Sequence, residues 1–231
     1  MTVTGHCHIA VFDQAVIVLD IRRGRYLLYD RTCAKALADR YIDRSAQNNF
    51  PALQQLIADG IITGTDPADR PVNIFDYRAL RFERFSSSVW ANRTMDRRHS
   101  RRFELEPIAR LTWSAILLKL SGLKALELLG KQKIHARNPE HRAGMEESGI
   151  AERYFNASIW SPFRITCLQM SMAIVSQLRR EGIDAQLVIG VRPVPFVAHA
   201  WVEIGHSVYG DVPDVQSNYG EIYRIPEISG D

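Results

Sequence analysis

Cysteine is nearly absent from this 231-residue chain. Cys7, Cys33 and Cys167 are too few and too scattered to staple a fold with disulfides, which points to a reducing compartment and leaves the thiols available for chemistry. Long apolar runs are missing as well. The most apolar stretch, Leu105 to Leu129, is interrupted by Glu106, Arg110, Lys119, Lys124 and Glu127. It falls short of the roughly 20 uninterrupted apolar residues of a membrane span and reads as an amphipathic helix. Met1 to Asp13 has neither a basic start nor a long apolar core, so no secretory signal is expected and a cytoplasmic location follows. No G-x-x-x-x-G-K-[ST] loop occurs, which excludes a P-loop nucleotide site. Neither sign of charge dominates: 29 Lys and Arg face 26 Asp and Glu, a net charge of +3. The one basic cluster, Arg93, Arg97, Arg98, Arg101 and Arg102, reads as a solvated segment, so nucleic-acid binding is not expected. His6, Cys7 and His8 alternate across a strand and lack a second ligand pair at metal spacing, so no metal site is expected.

What the chain does have is a composition suited to globular packing, 46% hydrophobic and 24% charged, at a length that suits two small domains. The first 65 or so residues carry three strand-like runs, Ile9 to Phe12, Ala15 to Ile21 and Arg25 to Tyr29, with Arg23-Gly24 as a turn. Helical patterns follow at Thr32 to Tyr41 and at Pro51 to Asp59, the latter ended by Gly60. Residues 66–104, with Asp66-Pro67, Pro71, Ser86 to Ser88 and the arginines, read as a linker. Residues 105–231 form the second domain, and the fold class is α+β.

The chemistry concentrates in the last third. Thr166 to Gln169 fits a capping box, with Thr166 as N-cap and Gln169 reaching back, and Leu168, Met172, Val175 and Leu178 recur at helical spacing up to Arg179, Arg180 and Gly182. Cys167 would then open the helix, where unpaired amides lower a thiol's pKa. A competing start at Ser161 and Pro162 would bury Cys167 one turn deeper. Two strand-like runs, Ile183 to Val191 and Phe196 to Ile204, are split by Pro193 and Pro195. In the second run Ala198, Ala200, Val202 and Ile204 alternate with Val197, His199, Trp201 and Glu203, so His199 points away from the simplest core face. Gly205 and His206 read as a turn and Ser207 to Asp211 as the returning strand. A two-residue loop would set Asp211 opposite Ala200, on the wrong face for His199, whereas an odd loop or a bulge would bring the two together. A thiol needs a base, and the base an orienting acceptor. Cys167, His199 and Asp211 can fill those three places.

From Cys167 to Pro213, the capped C-L pair, R-R-E-G-I-D-A-Q-L-V-I-G-V-R, P-F-V-A-H-A-W-V-E-I-G and G-D-V-P resemble the lasso-peptide B proteins, transglutaminase-like cysteine peptidases of the microcin-maturation type. The resemblance implies a transglutaminase or papain-like domain, a nucleophile helix against an antiparallel sheet. It also implies release of the leader from a ribosomally made precursor before a partner cyclase, similar to asparagine synthetase, closes the lasso ring. Cys167 would be the nucleophile, His199 the general base then acid, and Asp211 the imidazole orienter, with threonine often the penultimate leader residue. The nucleophile's own amide is expected in the oxyanion hole, with Trp160 or Ser161 as the upstream donor. The papain-type glutamine is absent from its usual place six residues before Cys167, where Ser161 stands. The N-terminal order of strands and helices resembles the winged-helix leader-recognition module of the pyrroloquinoline-quinone carrier family. It implies strand addition along Arg25 to Tyr29, with Tyr26, Leu28, Leu53, Leu56 and Ile57 as leader contacts. No cofactor is expected on this chain, and any ATP dependence would belong to the cyclase. Two other functions remain open: a noncatalytic scaffold handing precursor to the cyclase, and transamidation or deamidation of glutamine.

Overall fold

The computed structural model describes residues 2–42, 50–63, 73–75, 80, 104–132, 134 and 147–226. Most of the linker read at 66–104, including its arginine cluster, lies outside them. The chain divides into two compact units, the first made of Met1–Arg81 with Gly190–Ala198 and Ser217–Tyr223, the second of Phe82–Ile189, His199–Gln216 and Arg224–Asp231.

In the first unit β1 (Thr2–Val3) pairs with β5 (Ile62–Thr63), and β2 (Cys7–Phe12), β3 (Val16–Asp20), β4 (Arg25–Tyr29) and β6 (Asn73–Phe75) form a sheet ordered β4-β3-β2-β6. Pairing is antiparallel except between β2 and β6. Helices α1 (Arg31–Ile42) and α2 (Phe50–Ala58) close one core: Ile9, Val11, Val16 and Val18 from the sheet pack with Leu37, Leu53 and Leu56 from the helices. The three strands and two helices expected from the sequence lie within a residue or two of their places. Unlike a half-buried strand, β3 is buried at every residue. The reason is a second cover within the same unit: the Tyr223 ring packs tilted against His8 with centroids 4.1 Å apart, and Phe196 against Tyr26 at 5.4 Å. At Gly220 a Cβ would meet Phe75 at 2.7 Å and Phe12 at 2.8 Å, so only glycine admits this approach.

In the second unit α3 (Leu105–Ser121) runs through a 3₁₀ turn (Gly122–Lys124) into α4 (Ala125–Gly130), so the expected amphipathic stretch is two helices, broken where Gly122 takes φ 58°. Helices α3 and α5 (Glu147–Ser158) pack on α6 (Cys167–Arg180). Strands β7 (Ala185–Arg192), β8 (Val197–Ile204), β9 (Ser207–Tyr209) and β10 (Gly220–Ile225) make a sheet ordered β10-β7-β8-β9. Arg179 stands in the basic last turn expected of the helix end, yet it is 1% exposed. Its guanidinium donates to the carbonyls of Ala185 at 2.9 Å, Leu129 at 2.7 Å and Ile225 at 3.0 Å. A planar, five-donor group can serve three carbonyls at once, so one residue ties α6 to α4, β7 and the end of β10.

Candidate active site

Helix α6 begins at Cys167, and the start at Ser161 and Pro162 is not used. Thr166 has extended backbone (φ −91°, ψ 165°) and both halves of the capping box form: Gln169 N–H donates to Thr166 Oγ1 at 3.4 Å, and Thr166 N–H to Gln169 Oε1 at 2.8 Å. The first helical bond runs from Met170 N–H to Thr166 O, leaving the amides of Cys167, Leu168 and Gln169 without helical acceptors. Gln169 is taken by the cap and Leu168 bonds the Cys167 sulfur, as does the amide of Ala200 on β8. One turn on, buried Ser171 donates from Oγ to the Ala200 carbonyl at 3.0 Å. The Ala200 residue is thus held from both its amide and its carbonyl by α6, and this places His199 beside the thiol.

His199 Nε2 lies 2.8 Å from Asp211 Oδ2, leaving Nδ1 to serve Cys167 Sγ. The register requirement drawn from the sequence does not hold. The loop is the two-residue one, with Ile204 opposite Ser207 and Val202 opposite Tyr209. Yet Asp211 reaches His199 because β9 ends at Tyr209 and Gly210, at φ +72°, turns the chain out of the ladder. The Val212 N–H then donates to Asp211 Oδ1 at 2.8 Å and fixes the carboxylate. Parity governs facing only while both residues remain in the sheet. The expectation that His199 points away from the core is also revised: His199, Trp201 and Glu203 are all buried, so both faces of β8 are covered.

These contacts set the protonation states. Burial pushes the Cys167 thiol up, but the hydrogen bond and charge of His199 and the amides of Ala200 and Leu168 outweigh it and hold the thiol below its ordinary value. Burial pushes His199 down, but the hydrogen bonds to Asp211 and Cys167 and their charges raise it to about 9. At neutral pH the arrangement favours a thiolate beside an imidazolium, the reactive pair of thiol acyl transfer. Cys7 and Cys33 differ: burial and neighbouring aspartates raise both to about 11.

Of the other residues singled out from the sequence, Trp160 is 50% exposed, and its amide donates to Ala157 O at 3.0 Å while that of Ser161 donates to Ser158 O at 3.3 Å. Those amides close the turn after α5, so an oxyanion contact from either residue would have to use its side chain. Leu28 is 57% and Ile57 39% exposed, whereas Leu53 and Leu56 are core residues at 2% and 0%. Sequence reasoning missed Asp20, which joins His6 and Cys7 so that one donor atom from each lies within 4.8 Å of the others. Asp20 also accepts the Arg23 N–H on Oδ1 at 3.0 Å and pairs with the Arg23 guanidinium at 3.6 Å from Oδ2. Among the described residues no helix is long and apolar enough to cross a membrane.

The chain is 36% identical over 95 residues to the microcin J25-processing protein McjB of Escherichia coli, covering 41% of this chain and 44% of that protein. The match bears out the likeness to the lasso-peptide B proteins over that stretch, though the chain spans less than half the length of the relative. No solved structure matches. A family model described as the transglutaminase-like superfamily matches residues 108–224, just over half of the chain. That span runs from the first turn of α3 to the last strand and takes in the capped helix, the His199 strand and the turn at Gly210, and on this ground the chain belongs to the transglutaminase-like superfamily.

Proposed function

We propose that this protein is the leader peptidase of a lasso-peptide pathway, cleaving leader from core by Cys167, His199 and Asp211 before a partner cyclase closes the ring. The observation that carries the reading is the linked pair of contacts at His199: Nε2 to Asp211 at 2.8 Å and a hydrogen bond to a thiol at a helix N-terminus. The superfamily match and the likeness to a precursor-processing protein support it. The thiolate attacks the last leader carbonyl, forming a C–S bond and an oxyanion. The Cys167 amide, left over at the helix start, donates to that oxyanion. Imidazolium Nδ1 gives its proton to the core-peptide nitrogen as the C–N bond breaks. Neutral imidazole then takes a proton from water, hydroxide attacks the thioester, and the leader leaves as a carboxylic acid with the thiolate restored.

Leader capture fits the first unit. Among the described residues strand β4 ends its sheet, the place where an extended peptide would add as a strand, and Leu28 offers an exposed side chain there, with Tyr26 beside it and Ile57 on α2. Leu53 and Leu56 would support the groove from the core.

Mass spectrometry of the precursor incubated with wild type and with Cys167→Ala, each with and without the asparagine-synthetase-like cyclase, tests the reading. Leader release by wild type alone of the two proteins supports it. Intact precursor in every tube, with leader bound to both proteins, overturns it in favour of a scaffold. A gain of about one mass unit with the backbone whole would indicate glutamine deamidation.

A further inference from the structure

His199, Trp201 and Glu203 occupy every second position of β8 and therefore one face of the strand. The indole ring lies 6.2 Å from the imidazole with the planes 23° apart. Its Nε1–H donates to Glu203 Oε1 at 2.7 Å, and the same oxygen accepts from Gln216 Nε2 at 2.7 Å. Arg224 Nη1 donates to Glu203 Oε2 at 2.6 Å and to Gln186 Oε1 at 2.5 Å. Trp201 is 2% and Glu203 1% exposed. An ionised carboxylate in such a place is costly unless its lone pairs are engaged. Burial raises the Glu203 pKa, but the hydrogen bonds from Gln216, Trp201 and Arg224 and the Arg224 charge override it and keep the group ionised.

The hydrogen bond to Asp211 fixes one nitrogen of His199 but does not by itself set the plane of the ring. A turn of that plane carries Nδ1 off the line to the sulfur. A flat neighbour stacked on the imidazole removes this freedom, and it works only if its own orientation is fixed. We propose that Trp201, locked by Glu203, is a positioning residue that holds the His199 ring plane so that Nδ1 stays aimed at Cys167. This rests on the thiol-catalysis reading above. Neither residue touches the reacting atoms, and both act through the imidazole. The indole face also favours the imidazolium electrostatically.

The test is the rate at which iodoacetamide alkylates Cys167 in the full chain, located by mass spectrometry and followed across pH. It needs no peptide substrate, and Cys7 and Cys33, buried and raised to about 11, stay silent at neutral pH. Trp201→Leu should slow alkylation at neutral pH roughly 10- to 100-fold and move the acid limb of the profile upward. Glu203→Gln, whose amide has one acceptor oxygen for three donors, should do the same to a lesser degree. Trp201→Phe keeps a ring but loses the N–H that locks it, and should fall between wild type and Trp201→Leu, a few-fold below wild type. Circular dichroism identifies the folded variants. If Trp201→Leu does not fold, a wild-type profile in folded Glu203→Gln overturns the proposal. If neither folds, Trp201→Phe decides it, because loss of the lock alone should still slow alkylation a few-fold. A wild-type Cys167 with the profile of an ordinary thiol would remove the thiol-catalysis reading itself. A reactive wild-type thiol with unaffected variants would remove only the role of Trp201.

Discussion

Replacing Asp211 by asparagine keeps the shape of the side chain and removes the charge that His199 leans on. In the wild type, burial works against the imidazolium, yet His199 stands at about 9 rather than its ordinary 6.5. That gap corresponds to roughly 3 kcal/mol of preference for the charged ring. Asp211 and Cys167 both contribute, each by a hydrogen bond and by charge. If Asp211 supplies about half, Asp211→Asn costs the imidazolium roughly 1 to 2 kcal/mol, or about one pH unit. The sign follows from linkage: because the folded value is raised, its contribution to stability is complete below 6.5 and is lost as pH climbs through about 9. The variant should therefore lose most stability relative to wild type in acid and neutral solution and approach it above about 9. Two profiles report the change at the site. The alkaline limb of kcat/KM for leader cleavage, which needs the imidazolium as acid, should fall by about one unit, and the acid limb of Cys167 alkylation should rise. A folded Asp211→Asn protein with both limbs at their wild-type positions would refute the argument.

Arg179→Met should lower stability by about 3 kcal/mol, measured by urea unfolding, because three buried carbonyls lose their common donor; a change under about 1 kcal/mol would show that they find other partners. Gly210→Ala forces a β-carbon to φ +72° and to 2.8 Å from the Ala151 Cβ. A cost of about 2–4 kcal/mol is expected together with a lowered alkaline limb, since the same turn delivers Asp211; an unshifted melting temperature would contradict this. Leu28→Asp should weaken leader-peptide binding about tenfold by calorimetry while leaving Cys167 alkylation at the wild-type rate, and unchanged affinity would move the leader away from β4.

Local physics wrote much of this protein directly into its sequence. Thr166 and Gln169 specified the helix start because a capping box is closed by residues three apart. The runs at Arg25 to Tyr29 and Phe196 to Ile204 became strands β4 and β8 almost to the residue, since strand periodicity is a property of neighbours. The order Cys167, His199, Asp211 marked the candidate site for the same reason, each residue sitting on or beside a recognisable element. What the pattern could not hold was anything decided by packing between distant segments. Arg179 reads from the sequence only as part of a helix end, and the arrival of Leu129, Ala185 and Ile225 makes it a buried clamp. Strand β3 is buried on both faces because residues from the last strands supply its second cover. Strand parity placed Asp211 on the wrong face, because it counts along a ladder and cannot say where the ladder stops. Gly210 leaves it, and a left-handed turn held against Ala151 brings the carboxylate to His199. The sequence by itself determined which groups are candidates for the chemistry and which elements carry them. The tertiary structure alone decided that they meet, because hydrogen bonds between side chains depend on distances that no local periodicity encodes.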